Sequence, residues 1–379
     1  MPQQQNQHHS GPNRQEQPQV VVVMVPSPAQ GHLNQLLQLS RLLLCHHIPV
    51  HYGGTATHVR QAKLRVHGWD PLATADVHFH SFEIPPFLSP PPDPNATIKF
   101  PSHLQPTFDA SLHLRAPLAK LLRFLSVQSK RVMVIHDSLM GSVIQDVSLI
   151  PNAESYTFHS VSAFAYFLYI WEKQGKPIKA TSSLKTLIFN TSKIIEGTSM
   201  ELLEQTVTGE KHRALGPFNA VQMTPEKRPS NVRSLCLEWL DRQAANSVIY
   251  VSLGTTTTMS NEQTKELAMG LKQSGQKFIW VLRYADKGDV FAGEEGRRPQ
   301  VCEPLRLEFL FGEYYNGSSN WGVAYSLRST EEHCVDYEIA QGGEVRRRAA
   351  ELGDAVRLSV AEGGVSHEEW HSFISHISR

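Results

Sequence analysis

The sequence predicts an α/β protein built around a central parallel sheet, and three observations carry that prediction. Val20 to Val25 form an apolar run without alternation, which suits a strand covered on both faces. The turn "PSPAQGH" ends that run, and Leu33, Leu36, Leu37, Leu43 and Leu44 then recur at helical spacing. The same passage from apolar strand to helix returns at "RVMVIHDSL" (131–139) and at "SVIYVSLGT" (247–255), so strands alternate with helices along the chain.

The elements between these anchors follow in order. A short strand at "PVHYGGT" (49–55) precedes a helical stretch from about His58 and a strand at "VHFHSFEI" (77–84). "PPFLSPPPDPNAT" (85–97) holds too many prolines for a helix or a central strand and reads as a surface loop. One long helix is expected across 103–127. "ESYTFHS" and "LIFNTSK" read as later strands, and the aromatic run "AFAYFLYIW" (163–171) as a helix of the core between them. A polar, proline-bearing segment follows "HRALGPF" (212–218) and serves as a linker.

These features divide the chain into a disordered polar extension (1–19), a first domain (20–218), a linker (219–232) and a second domain (233–379). The second domain opens with a helix at "LCLEWLDRQ". It continues with the strand 247–255, a helix ending at Gly275 and a strand at "KFIWVLR". From about 284 the periodicity fails, and only "LRLEFLF" resembles a strand in the aberrant segment 293–341. A charged helix at "GEVRRRAAELGDAVRLSVAEGG" and a terminal helix near "HEEWHSFISHI" end the chain.

Composition excludes several classes. Thirty-six basic and thirty-six acidic residues cancel, so neither a nucleic-acid surface nor an acidic substrate is implied. Cys45, Cys236, Cys302 and Cys334 are scattered without a CxxC pair or zinc spacing, which favours a reducing compartment. The first nineteen residues lack the apolar core of a signal peptide, and no apolar run approaches the roughly 20 residues that span a bilayer. A soluble, cytoplasmic protein without a membrane partner is expected, and the Asn95-Ala96-Thr97 sequon reads as chance.

Candidate residues sit where strands end. His32 lies at the junction of a buried strand and a helix, the edge at which open α/β sheets bind ligands. His136 and Asp137 end a second buried strand, and His136 reads as a packed or hydrogen-bonded core histidine. Gly254 and Thr255 occupy a strand-to-helix turn. His8 and His9, in the polar tail, are not read as a metal site. A nicotinamide-dependent oxidoreductase is disfavoured, because "PSPAQGH" has one glycine where GxGxxG needs three.

Several ordered blocks together resemble the plant UDP-dependent glycosyltransferases, and among them the zeatin O-glucosyltransferases. They are "PSPAQGHLNQLLQLSRLL", "VIHDSLMGSVIQDV", "YTFHSVSAF", "LGPF", the long block from "LEWLDRQ" to "YADKGDVF", and the terminal "GGEVRRRAAELGDAVRLSVAEGGVSHEEWHSFISHIS". The resemblance covers about 18–292 and 342–378. It implies two facing Rossmann-like domains of the GT-B type, the first shaping an acceptor pocket and the second holding a UDP-sugar.

The resemblance also implies roles. His32 becomes the base that takes the acceptor's hydroxyl proton, and Asp137 the partner that orients the imidazole and stabilises the cation formed. Gly254 and Thr255 face the donor's diphosphate. The implied reaction moves glucose or xylose from a UDP-sugar to a hydroxyl of a small plant metabolite such as zeatin, with inversion. The UDP-sugar is a co-substrate, no metal or cofactor is required, and a monomer is expected.

One departure matters. The family's marker block runs from a tryptophan that stacks on uracil, through HCGWNS, to an Asp-Gln pair, and this chain lacks it. The His333-Cys334 pair continues as "VDYE", and Trp321 has no matching Gln and His downstream, so neither is given a role. The second domain is therefore read as incomplete. The alternative from another class is a catalytically defective or binding-only product, which would hold an acceptor but no UDP-sugar.

Overall fold

The computed structural model describes residues 19–64, 76–87, 104–174, 186–205, 211–218, 239–245, 247–252, 259, 261–280, 300–302 and 347–379. Seven strands form the larger sheet: β1 (Val21–Val25), β2 (Val50–Thr55), β3 (Val77–Phe82), β4 (Val132–Asp137), β5 (Ala153–His159), β6 (Leu187–Phe189) and β7 (Arg213–Ala214). Their order is β3-β2-β1-β4-β5-β6-β7, and every neighbouring pair is parallel. Helices α1 (Gln30–Leu44), α2 (Ala56–Leu64), α3 (Gln105–Ser111), α4 (Arg115–Gln128), α5 (Ala163–Gln174) and α6 (Lys193–Leu203) connect them.

The unbroken apolar run of β1 is explained by its two covered faces. Val22 and Met24 pack into a core that includes Leu36, Leu37, Leu39 and Leu43 of α1. Val21, Val23 and Val25 point the other way, into a core with Leu118, Leu121, Leu122 and Leu125 of α4. Period two in the strand and period 3.6 in the helices thus meet twice, once on each side of the sheet.

The single helix expected across 103–127 is broken. Leu112–Leu114 form a tighter 3₁₀ turn between α3 and α4. Pro117 lies in the first turn of α4, where its missing N–H costs nothing, whereas inside a continuous helix it would lose a bond and clash with the preceding turn.

The smaller sheet has the order β10-β9-β8, from β8 (Val248–Val251), β9 (Lys277–Trp280) and β10 (Gln300–Cys302). β8 and β9 are parallel, joined through helix α7 (Asn261–Gln273). Gly275, at φ 62°, ends that helix as expected, in a conformation that strains other L-residues. β10 runs antiparallel to β9, inside a segment where the sequence showed no period. The linker 219–232 and, apart from β10, the whole of 293–341 with "LRLEFLF" lie outside the described residues.

The chain ends in a helix over 347–360, α8, and α9 (Val365–Ile377). The sequence reading grouped both with the second domain, yet α9 is fastened to the first sheet. Phe373 and Ile377 are fully buried in the α1-side core. Arg131 donates to the carbonyls of His376 (3.1 Å) and Ile377 (3.2 Å), pairing groups that a helix C-terminus leaves open. Glu369 meets Lys193 at 2.6 Å and Arg213 at 3.1 Å. Among the described residues, no helix is long and apolar enough to cross a membrane.

Candidate active site

The strand order places the site. In the larger sheet the succession of strands turns back between β1 and β4, and the carboxyl edge beside such a point opens a crevice. β1 feeds the N-terminal turn of α1, whose third residue is His32. β4 lies directly beside β1, with Val25 opposite His136, so the next residue, Asp137, arrives at the same edge. His32 Nδ1 and Asp137 Oδ2 are 2.6 Å apart.

That bond fixes proton positions. A carboxylate can only accept, so Nδ1–H of His32 donates to Oδ2, and the ring presents Nε2 as a lone pair. Asp137 is fully buried, and its other oxygen accepts the amide of Leu139 at 3.0 Å. The His32 side chain keeps 23% of its surface open, enough for a substrate hydroxyl to approach. An oriented imidazole with an Nε2 lone pair at a ligand edge is equipped to remove a proton from a bound alcohol.

Sequence reasoning missed three neighbours. Ser160, just beyond β5, holds its Oγ 3.1 Å from His32 Nδ1 and 3.4 Å from Nε2. It lay within the quoted "YTFHSVSAF" block, so its position at a strand end was the available signal. Tyr52 is fully buried on β2 and donates to the Leu33 carbonyl at 2.9 Å, pinning the first turn of α1. Burial, with a smaller push from the Asp137 charge, raises its pKa well above the phenolic value. His159 ends β5 against Tyr166 and Phe189, and burial lowers its pKa to about 4 despite the opposing charge of Asp137.

His136 behaves as the packed histidine expected, its Nδ1–H directed at the Asp137 carbonyl (2.9 Å) and its Nε2 3.3 Å from Thr157 Oγ1. Gly254 and Thr255, like His8 and His9, lie outside the described residues. Leu139, Val161 and Phe164 follow β4 and β5 and are half exposed, giving the edge beside His32 an apolar rim.

A family model described as "Glycosyltransferase, N-terminal domain" matches residues 18–187. A zeatin O-glucosyltransferase of Phaseolus lunatus is 42% identical over 454 aligned positions, covering 95% of this chain and 97% of that protein. A zeatin O-xylosyltransferase of Phaseolus vulgaris is 40% identical, covering 95% and 98%. The 454 positions exceed the 379 residues present, so the alignment crosses a stretch of the relative with no counterpart in this chain. Among solved structures, Arabidopsis thaliana UGT89C1 complexed with UDP superposes with a TM-score of 0.64 at 18% identity, over 95% of this chain and 99% of that one.

Proposed function

This chain belongs to the plant UDP-dependent glycosyltransferases, and from that premise we propose that it transfers glucose or xylose from a UDP-sugar to a hydroxyl of a small plant metabolite, zeatin first among them. The observation that carries the reading is the 2.6 Å bond between His32 Nδ1 and the buried Asp137 carboxylate. The named activities of the two bean relatives supply the acceptor and the two sugars.

In this reading the acceptor hydroxyl lies against His32 Nε2. As its oxygen attacks the anomeric carbon, its proton passes to Nε2, the bond from that carbon to the diphosphate oxygen breaks, and UDP leaves with the electron pair. A single displacement inverts the anomeric centre. The imidazolium formed is stabilised by Asp137, which stays ionised. The base supplies the driving chemistry, so the reading requires neither metal nor cofactor. Gly254 and Thr255 would line the diphosphate. The protein would work as a cytoplasmic monomer without nucleic-acid or membrane partners.

The test is a transfer assay with the purified full chain, UDP-glucose or UDP-xylose, and cis- or trans-zeatin, read by mass spectrometry. A product of sugar-plus-zeatin mass, absent with His32→Ala, is expected. A folded sample that binds zeatin and makes no product from either donor would overturn the reading and leave an acceptor-binding protein.

A further inference from the structure

Helix α9 carries a motif that the glycosyl-transfer chemistry does not use. Residues 367–371 read His-Glu-Glu-Trp-His, the H-E-x-x-H pattern that places two imidazoles on one face of a helix. In the structure His367 Nε2 and His371 Nε2 are 3.1 Å apart, with ring centroids at 4.4 Å. We propose that His367 and His371 form a chelating site for a divalent transition-metal ion, with water completing the coordination.

The geometry fits an ion without rearranging the helix. An ion about 2.0–2.1 Å from each nitrogen, at an angle of roughly 90–109°, needs the nitrogens about 2.9–3.4 Å apart. His371 is exposed and the His367 side chain retains 29% of its surface, so an ion can enter from solvent. A second face of α9 is fixed by Phe373 and Ile377, which holds the register of the pair.

One hydrogen bond joins the two imidazoles. The Gly363 amide donates weakly to His367 Nδ1 at 3.4 Å, which leaves the proton on Nε2, facing His371. Metal binding needs the other tautomer, with that proton on Nδ1, and the Glu368 carboxylate, its Oε1 3.8 Å from Nδ1, lies on that side of the ring, beyond hydrogen-bond distance but near enough to favour a proton there. A carboxylate behind a ligating imidazole is the usual support of such a ligand. The proton changes nitrogen and none is released.

His46 does not complete the site. Trp370 Nε1–H donates to His46 Nε2 at 2.7 Å, which uses that lone pair and puts the proton on Nδ1. Among the described residues no three His, Cys, Asp or Glu side chains are placed to hold a metal ion together. The site is therefore bidentate and exchangeable, suited to imidazole-preferring ions such as Ni²⁺, Cu²⁺ or Zn²⁺.

Calorimetric titration of NiCl₂ into the untagged full chain tests this. A binding component is expected that weakens about ten-fold or more in His367→Gln and in His371→Gln, and several-fold in Glu368→Gln. Identical isotherms in parent and all three variants, or no binding up to millimolar nickel, would overturn the proposal. Should a substitution disturb α9, ring resonances in the parent decide it: those of His367 and His371 must be the first to broaden with Ni²⁺, and other histidines broadening first would sink the site.

Discussion

His32 Nδ1 meets Asp137 Oδ2 at 2.6 Å across 105 positions of sequence, because β1 and β4 are neighbours in the sheet although β2 and β3 separate them in the chain. If this pair is the base and its orienting carboxylate, both members act on the same step. His32→Ala is expected to lower kcat by about 10²–10⁴-fold with the acceptor KM little changed. Asp137→Asn, which keeps shape and loses charge, is expected to fall in a similar range because the imidazole loses its fixed tautomer. Initial rates over a zeatin series check both, and an unimpaired Asp137→Asn would show that the carboxylate does not orient the base.

Ser160 reaches both nitrogens of the same ring, and a hydroxyl can rotate to serve either protonation state. Ser160→Ala is expected to reduce kcat roughly ten-fold by loosening the imidazole. Thr should restore much of the loss. Nitrogen chemical shifts of the His32 ring separate positioning from general packing, since only positioning alters the tautomer balance. Unchanged shifts and rates in the Ala variant would remove Ser160 from the site.

Much of this is legible in the sequence alone. The unbroken Val20–Val25 run announced a strand buried on two faces, and the paired strand ends announced where His32 and Asp137 would stand. Their contact was not legible, because it depends on strand order, which local periodicity does not encode. The break between α3 and α4 could have been read from Pro117, but the leucines on either side keep helical spacing and hide it. β7 has only two residues, too few for any period. The docking of α9 on the first sheet rests on Phe373, Ile377 and Glu369, whose spacing fits any amphipathic helix and names no partner surface.

Glu369 is the polar centre of that docking. It is 6% exposed and answers two cations, Lys193 and Arg213. Glu369→Ala would leave both without their shared anion and is expected to cost about 2–4 kcal/mol, read from urea unfolding. A variant as stable as the parent would mean the pairs contribute nothing net.

The same residue gives an acid limb. Burial pushes the Glu369 carboxyl up, but the hydrogen bonds from Lys193 and Arg213 and the charges of Lys193 and Lys211 outweigh it, so its pKa in the folded chain lies below the usual value. A depressed carboxylate stabilises the fold above its unfolded pKa, near 4.3, and loses that contribution as pH falls through the folded value. Below about pH 4.3 the urea midpoint of Glu369→Gln should therefore fall less steeply than that of the parent. Parallel profiles would mean that the carboxyl titrates alike in both states.

His159 should govern part of a second, milder pH dependence. It is 4% exposed, and its Nε2 has no hydrogen-bond partner among the described residues. Burial lowers its pKa to about 4 in the folded protein, whereas an unfolded imidazole takes its proton near pH 6.5. The unfolded state thus binds the proton first as pH drops. The contribution of neutral His159 is complete above about pH 6.5 and is lost as pH falls through 4. His51 and His58, lowered to about 3, and His212, lowered to about 4, act in the same direction. His159→Phe keeps a ring between Tyr166 and Phe189 and removes the titration, so the slope of melting temperature against pH between 6.5 and 4 should become shallower without vanishing. The slope is the informative quantity, since a slightly larger ring alters packing equally at every pH. Parent and variant slopes that coincide would place the His159 proton at its ordinary affinity and return the acid sensitivity to the other histidines whose pKa burial lowers.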